Sequence, residues 1–173
     1  MAAANPLRDA LTSGRFCYMV ELVASASMAE SKLWEMASSL AQIPEVVGAG
    51  ITSYAGGSAG HDPIRVAEGA REQGLNPNVH LTCVNHDPLG IRDALDRLIA
   101  LGMENVFAIS GDWPKGAPPE AVQFAGDSVQ LVETIHEVRE ARGWPFYISV
   151  AVSPFMPNSS WGAMPAPEAT CQA

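Results

Sequence analysis

Short apolar runs alternate along this chain with longer segments whose apolar residues recur every three or four positions. Val106, Phe107, Ala108 and Ile109 form an uncharged run that ends in a turn carrying Asp112, and Pro114 with Gly116 closes regular structure there. Phe16 to Val23 is a similar run, apolar on both faces and interrupted by Glu21, which predicts a buried strand. Glu45 to Thr52, Asn78 to Val84 and Phe146 to Val152 also read as strands. The segments between them read as helices. Ser27 with Glu30 forms a capping-box pattern ahead of Leu33, Met36, Leu40 and Ile43 at helical spacing. Asp62-Pro63 and Asp87-Pro88 each supply a cap followed by proline at the first helical position. Ile64, Ala67 and Ala70 mark one buried face, stopped by Gly74. Ile91, Leu95 and Leu98 mark the next, stopped by Gly102, with Asp93 and Arg97 expected to pair outside. A cap at Asp127 or Ser128 precedes Val129, Val132, Ile135 and Val138, and Gly143 ends that helix.

Strand-helix alternation with a period of roughly thirty residues predicts βαβ units and a parallel sheet. Two architectures fit it. One is a five-stranded doubly wound sheet; the other is part of a (β/α)8 barrel, which typically needs about 250 residues. Residues 1–14 read as a short lead-in, 15–157 as the βα portion, and 158–173 as an irregular proline-rich tail.

Composition narrows the class. The length of 173 residues fits one domain with a sizeable core, and 47% of the chain is apolar and 17% charged. A net charge of -9 and the lack of a Lys/Arg cluster argue against nucleic acid as a partner. No apolar run approaches the ~20 residues that span a bilayer, and the first residues lack the apolar core of a secretory signal. Cys17, Cys83 and Cys171 are distant from one another and odd in number, so a reducing, cytoplasmic setting is expected, with no metal site.

Loops at the carboxyl ends of parallel strands carry the chemistry of such folds. Set side by side, those ends offer Glu21, Thr52, His80 with Thr82, and Asp112, while Gly111 lets backbone approach a ligand. Each also has a plainer explanation. Glu21 fits a buried ion pair, His80 a satisfied core histidine, Asp112 a turn cap and Thr52 a simple β-former. Trp113, Trp144 and Trp161 are commonly packing groups. The glycine-rich stretch 54–60 carries no dinucleotide fingerprint, and Asn158-Ser159-Ser160 matches a glycosylation sequon by chance.

Taken in order, Val20-Glu21-Leu22, Ile51-Thr52, Val79-His80-Leu-Thr-Cys83, Ala108-Ile-Ser-Gly-Asp112 with Pro114, and Ile148-Ser-Val-Ala151 before Pro154 resemble methylenetetrahydrofolate reductase. The likeness covers nearly all of residues 15–157. It implies a (β/α)8 TIM-type barrel, here incomplete with about five βα units. It also implies FAD as cofactor, NAD(P)H as co-substrate, and reduction of 5,10-methylenetetrahydrofolate to 5-methyltetrahydrofolate.

By the same resemblance, Glu21 corresponds to the acid that helps open the folate imidazolidine ring. Asp112 corresponds to the carboxylate between flavin and folate. Thr52, Ala55, His80 and Gly111 correspond to flavin contacts. The pattern departs at Leu22-Val-Ala-Ser-Ala-Ser27, where the family has Phe-Phe-Pro-Pro. It departs again at Ser110 for an arginine, Ser153 for a tyrosine and Pro157 for a histidine. Open sheet edges lead us to expect a homo-oligomer or a partner chain completing the barrel. The alternatives are a non-catalytic folate- or partner-binding half-barrel, and a folate-linked methyltransferase component without flavin.

Overall fold

Helices in this chain begin where a short polar side chain meets an otherwise unpaired backbone N–H. In the computed structural model, which describes residues 5–53 and 60–151, Asn5 accepts from the Arg8 amide ahead of α1, Pro6–Ser13. Asp62 accepts from Ile64 N at 2.9 Å ahead of α3, Pro63–Glu72. Asp87 accepts from Gly90 N at 2.6 Å ahead of α4, Pro88–Ala100. Asp127 and Gln130 form a reciprocal capping box on α5, Ser128–Arg142, which Gly143 ends in the left-handed conformation. The helix α2, Glu30–Ala41, differs from expectation. Its cap position is Ala29, and Ser27 bonds Ser25 instead. The helix also ends at Ala41, so Ile43 falls beyond it and is exposed.

Five strands separate these helices: β1 Tyr18–Leu22, β2 Val46–Ile51, β3 Pro77–Thr82, β4 Asn105–Ile109 and β5 Tyr147–Val150. All pair in parallel, in the order β1-β2-β3-β4-β5. That order separates the two architectures left open by periodicity. A doubly wound sheet reverses its strand order at a switch point, whereas a barrel adds each strand beside the last. Successive right-handed crossovers then place the helices on one face. The molecule is an α/β arc of five βα units of the (β/α)8 type.

The outer face of the arc holds the main core. Leu22, Ile51, Val79, Leu81, Val106 and Ala108 meet Leu33, Ile64, Leu95, Leu98, Leu131 and Ile135 there. Each fully buried Leu or Ile contributes roughly 1.5–3 kcal/mol. Neighbouring helices are also linked by exposed arginine-carboxylate pairs: Arg65 with Glu30, Arg97 with Asp62, Arg92 with Glu137, and Arg142 with Asp96. Each is worth about 0.2–1 kcal/mol. Arg97 thus pairs with Asp62 across to α3, rather than with Asp93 on its own helix. On α5 the buried residues are Leu131, Ile135 and Val138, and Val129 is exposed.

The lead-in residues contribute more than expected. Leu7 and Ala10 of α1 pack on Val47 in a second small core. Beneath them lies a layer of amides. Asn5 donates to Asn105 Oδ1 at 2.7 Å, Asn105 to Asn76 Oδ1 and to the Pro77 carbonyl at 3.2 Å, and Asn76 to the Val47 carbonyl at 3.1 Å. Asn5 also reaches Glu104, which Arg8 pairs at 3.4 Å. These groups form a floor across the amino ends of the strands.

The outer strand β1 is not buried on both faces. Only Leu22 is enclosed, and Phe16, Tyr18, Met19 and Val23 are exposed. An apolar run is buried on both faces only when strands flank it on both sides, and in the described sheet β1 has β2 alone.

Candidate active-site rim

Register sets the inner face. Glu21 lies level with Gly50 on β2, and Gly50 with Asn78 on β3. His80 lies level with Phe107 on β4, and Phe107 with Ser149 on β5. Alternation along each strand keeps these residues on the side away from the helices. Gly50 leaves the space that the His80 ring fills, since a Cβ at Gly50 would stand 2.8 Å from Nε2. Phe107 meets that ring edge-on, with centroids 4.8 Å apart. Asn78 donates to Ser149 Oγ at 3.1 Å, and that hydroxyl donates on to the Val106 carbonyl.

His80 is 7% exposed, and burial holds its imidazole below the ordinary pKa, with the Glu21 carboxylate pulling the other way. The ring is therefore neutral at neutral pH. Glu21 itself is exposed, so the apolar enclosure expected from its strand is absent. Thr52 follows β2 directly, half-buried, and its amide donates to the Leu22 carbonyl at 3.4 Å. Ala55 lies outside the described residues.

Asp112 is exposed in the loop between β4 and α5, three positions beyond the strand end. Glu21, Thr52, His80 and Asp112 all lie toward the carboxyl end of the parallel sheet. Glu21 and His80 are near enough to influence each other electrostatically. Asp112 belongs to the same rim, in a loop rather than on the inner face. Gly111 has φ of +90°, and a Cβ there would stand 2.5 Å from Val84 Cγ1 and 3.1 Å from Thr82 Cβ. Its close approach is thus to the end of β3.

The β4–α5 loop is fastened to the segment after β3. Asn85 donates to the Gln123 carbonyl at 2.8 Å, Ala125 to the Cys83 carbonyl at 2.9 Å, and Val84 bridges Phe124. The buried Ser110 accepts from the Ser128 amide at 3.2 Å, so its hydroxyl serves the start of α5. The Cys83 thiol donates to the Asp127 carbonyl, and burial pushes it up to about 12. It is protonated and unsuited to nucleophilic work.

Gly50, Asn78, Phe107 and Ser149 were not singled out from the sequence. The period-2 parity running through His80 and Glu21 marks them, as does the Gly48-Ala49-Gly50 spacing that leaves two bare positions on one face. The rim therefore joins an exposed carboxylate and a neutral imidazole on the inner face, with a hydroxyl and a second carboxylate in the loops. Such a set suits proton transfer and recognition of a flat, hydrogen-bonding ligand. Among the described residues, no group of three or more His, Cys, Asp or Glu side chains is placed to hold a metal, and no helix is long and apolar enough to cross a membrane. A cavity of about 230 Å³ lies at the opposite end, lined in part by Asn5, Asn76 and Asn105, whose amides already bond one another.

Comparison with known proteins agrees with the strand order. A probable methylenetetrahydrofolate reductase (NADH) from Oryza sativa subsp. japonica is 35% identical over 107 residues, 60% of this chain. The aligned part is 18% of that protein, so the chain spans about a fifth of its relative's length. Among solved structures, SuiB of Streptococcus suis superposes with a TM-score of 0.53 at 12% identity, over 78% of this chain and 33% of that one, a likeness of fold alone. The Methylenetetrahydrofolate reductase family itself matches residues 6–164, and by that match, across nearly the whole sequence, the chain belongs to this family.

Proposed function

We propose that this chain carries the amino-terminal part of a site that reduces 5,10-methylenetetrahydrofolate to 5-methyltetrahydrofolate, using FAD and a reduced nicotinamide. The observation that carries it is Glu21 beside Gly50 and the neutral His80 on the inner face of an arc of this family. The donor set fits a planar, hydrogen-bonding cofactor: a Thr52 hydroxyl and the neutral His80 imidazole, whose ring fills the space over Gly50. Thr52, Ala55, His80 and Gly111 would hold FAD, which when bound supplies hydride transfer from nicotinamide to folate. The name of the rice relative makes NADH the nicotinamide to test first.

Glu21 protonates a nitrogen of the folate imidazolidine ring, which opens to a cationic iminium. Solvent access lets its carboxylate take up the next proton. Asp112 supplies the negative charge that stabilises that cation. His80, neutral and braced by Phe107, offers one donor and one acceptor without competing positive charge.

Two measurements test this. The purified chain should show the visible absorbance of oxidised flavin. In Glu21→Gln, folate reduction should fall by about 100-fold or more, while flavin reduction by NADH stays within a few-fold. Equal loss in both half-reactions refutes the role of Glu21. The engagement of Ser110 with α5 favours a second reading, a folate-binding arc without flavin. Colourless protein that binds folate supports that second reading.

A further inference from the structure

The cavity at the amino end of the arc carries charges that the rim chemistry does not use. It opens where the α3–β3 and α4–β4 connections meet the start of α1, and its volume is about 230 Å³. One water needs roughly 30 Å³, so the space suits a small organic molecule. Arg71 and Glu104 both line it, and the two do not pair with each other. Arg71 makes one bond, from Nη1 to the Leu101 carbonyl, and the rest of its five-donor fork is open among the described residues. Arg65, Arg92, Arg97 and Arg142 each pair with a carboxylate on a neighbouring helix; among the described residues Arg71 meets none. Its guanidinium lies across Gly102, where a Cβ would stand 3.2 Å from Nη1.

Glu104 supplies the opposite charge. Its side chain is 11% exposed, and both of its bonds go to Oε2, from Asn5 at 3.1 Å and Arg8 at 3.4 Å. Oε1 accepts from nothing among the described residues. No fully enclosed side-chain N or O among those residues lacks a partner, so Oε1 reaches open space, and the cavity is the space that Glu104 lines. Leu75, Met103, Pro6 and Pro77 add apolar wall. A ligand that satisfies this set carries an anion and a cation a short way apart, with an apolar remainder. A free α-amino acid does so, because its carboxylate and ammonium leave the same carbon. The guanidinium fork matches the carboxylate, and the nearby carboxyl ends of α3 and α4 favour the ammonium. We propose that the amino-end cavity binds a free α-amino acid with an apolar side chain, its carboxylate on Arg71 and its ammonium on Glu104 Oε1. The site lies at the opposite end of the strands from the rim, so it stands apart from the folate reading.

Calorimetric titration of the full chain with L-leucine tests it, beside two analogues. 4-Methylpentanoate lacks the ammonium, and leucinamide lacks the carboxylate. Wild-type protein should bind L-leucine at least about tenfold more tightly than either, as loss of one charged hydrogen bond implies. Saturating L-leucine should raise its melting temperature by about 5 °C or more. Arg71→Gln changes an exposed side chain; it should weaken L-leucine binding roughly 10- to 150-fold and erase the advantage over leucinamide. Glu104→Gln should erase the advantage over 4-methylpentanoate. Melts without ligand check that both variants are folded. Glu104 also holds Asn5 and Arg8, so Arg71→Gln decides the matter if Glu104→Gln does not fold. Equal affinity for the three probes, L-leucine affinity unchanged in Arg71→Gln, or no binding of millimolar L-leucine by wild-type protein overturns the proposal.

Discussion

Gly50 lies directly under the His80 imidazole, so close that a Cβ there would stand 2.8 Å from Nε2. The atom it would meet is the far end of a side chain, so the ring can turn aside while the backbone holds. Gly50→Ala should therefore change stability by less than about 1 kcal/mol, since reduced chain entropy in the unfolded state offsets some crowding. It should nevertheless shift the His80 ring resonances and weaken flavin binding. Proton spectra and a denaturant melt of the same sample check both halves, and unmoved His80 signals would contradict the contact.

Acid should loosen the fold before its carboxylates titrate. His80 and His86 are both held below 6.5, chiefly by burial; Glu21 opposes the shift at His80, and Asp87 and Asp62 oppose it at His86. Between each lowered pKa and 6.5 the unfolded chain binds more protons, so stability rises with pH across that window. It is fully present above about pH 6.5 and is lost as pH falls toward the folded-state values. Glu30 and Asp96, lowered by their arginine partners, add a loss only below about 4.5. Denaturant midpoints at pH 7.5 and 5.5 should differ in wild-type protein and differ less in His80→Asn.

Gly111→Ala should cost more than Gly50→Ala. Here φ is +90°, and the new methyl would meet Val84 Cγ1 at 2.5 Å and Thr82 Cβ at 3.1 Å, atoms fixed at the end of a buried strand. Strained backbone and overpacking each cost about 1–3 kcal/mol. A fall in denaturant midpoint equivalent to at least 2 kcal/mol is expected from the two together, and a neutral result would remove the crowding argument.

Alkylation should report unfolding. Cys83 is buried, bonded to the Asp127 carbonyl, and raised to about 12. At pH 8 iodoacetamide should leave it unmodified in native protein and label it once denaturant opens the core, as peptide mass spectrometry can follow. Labelling of Cys83 at the rate of a free thiol under native conditions would contradict its placement.

The helices α3, α4 and α5 were legible because Asp62, Asp87 and Asp127 do local work that needs no knowledge of the rest of the chain. The stripes Ile91-Leu95-Leu98 and Ile64-Ala67-Ala70 were legible for the same reason. The exposure of β1 was not, because a run such as Phe16 to Val23 carries no mark of which flank lacks a neighbour. Asn5-Pro6 and Gly14 do signal α1, but eight residues hold too little periodicity to outweigh a small, mixed composition. At the rim, Glu21 and His80 stood out as polar groups in apolar runs. The Ser110 bond to Ser128 and the Asn78 bond to Ser149 join residues 18 and 71 positions apart, and such pairings arise only from strand order.

The asparagine floor divides the arc by height. Asn105 makes bonds to Asn5, Asn76 and the Pro77 carbonyl, and Asn105→Ala would strand buried partners at about 1–3 kcal/mol each. Its melting temperature should drop while folate affinity per folded molecule holds. Variation could thus reshape the mouth of this protein freely, provided its foundation course of amides is left undisturbed.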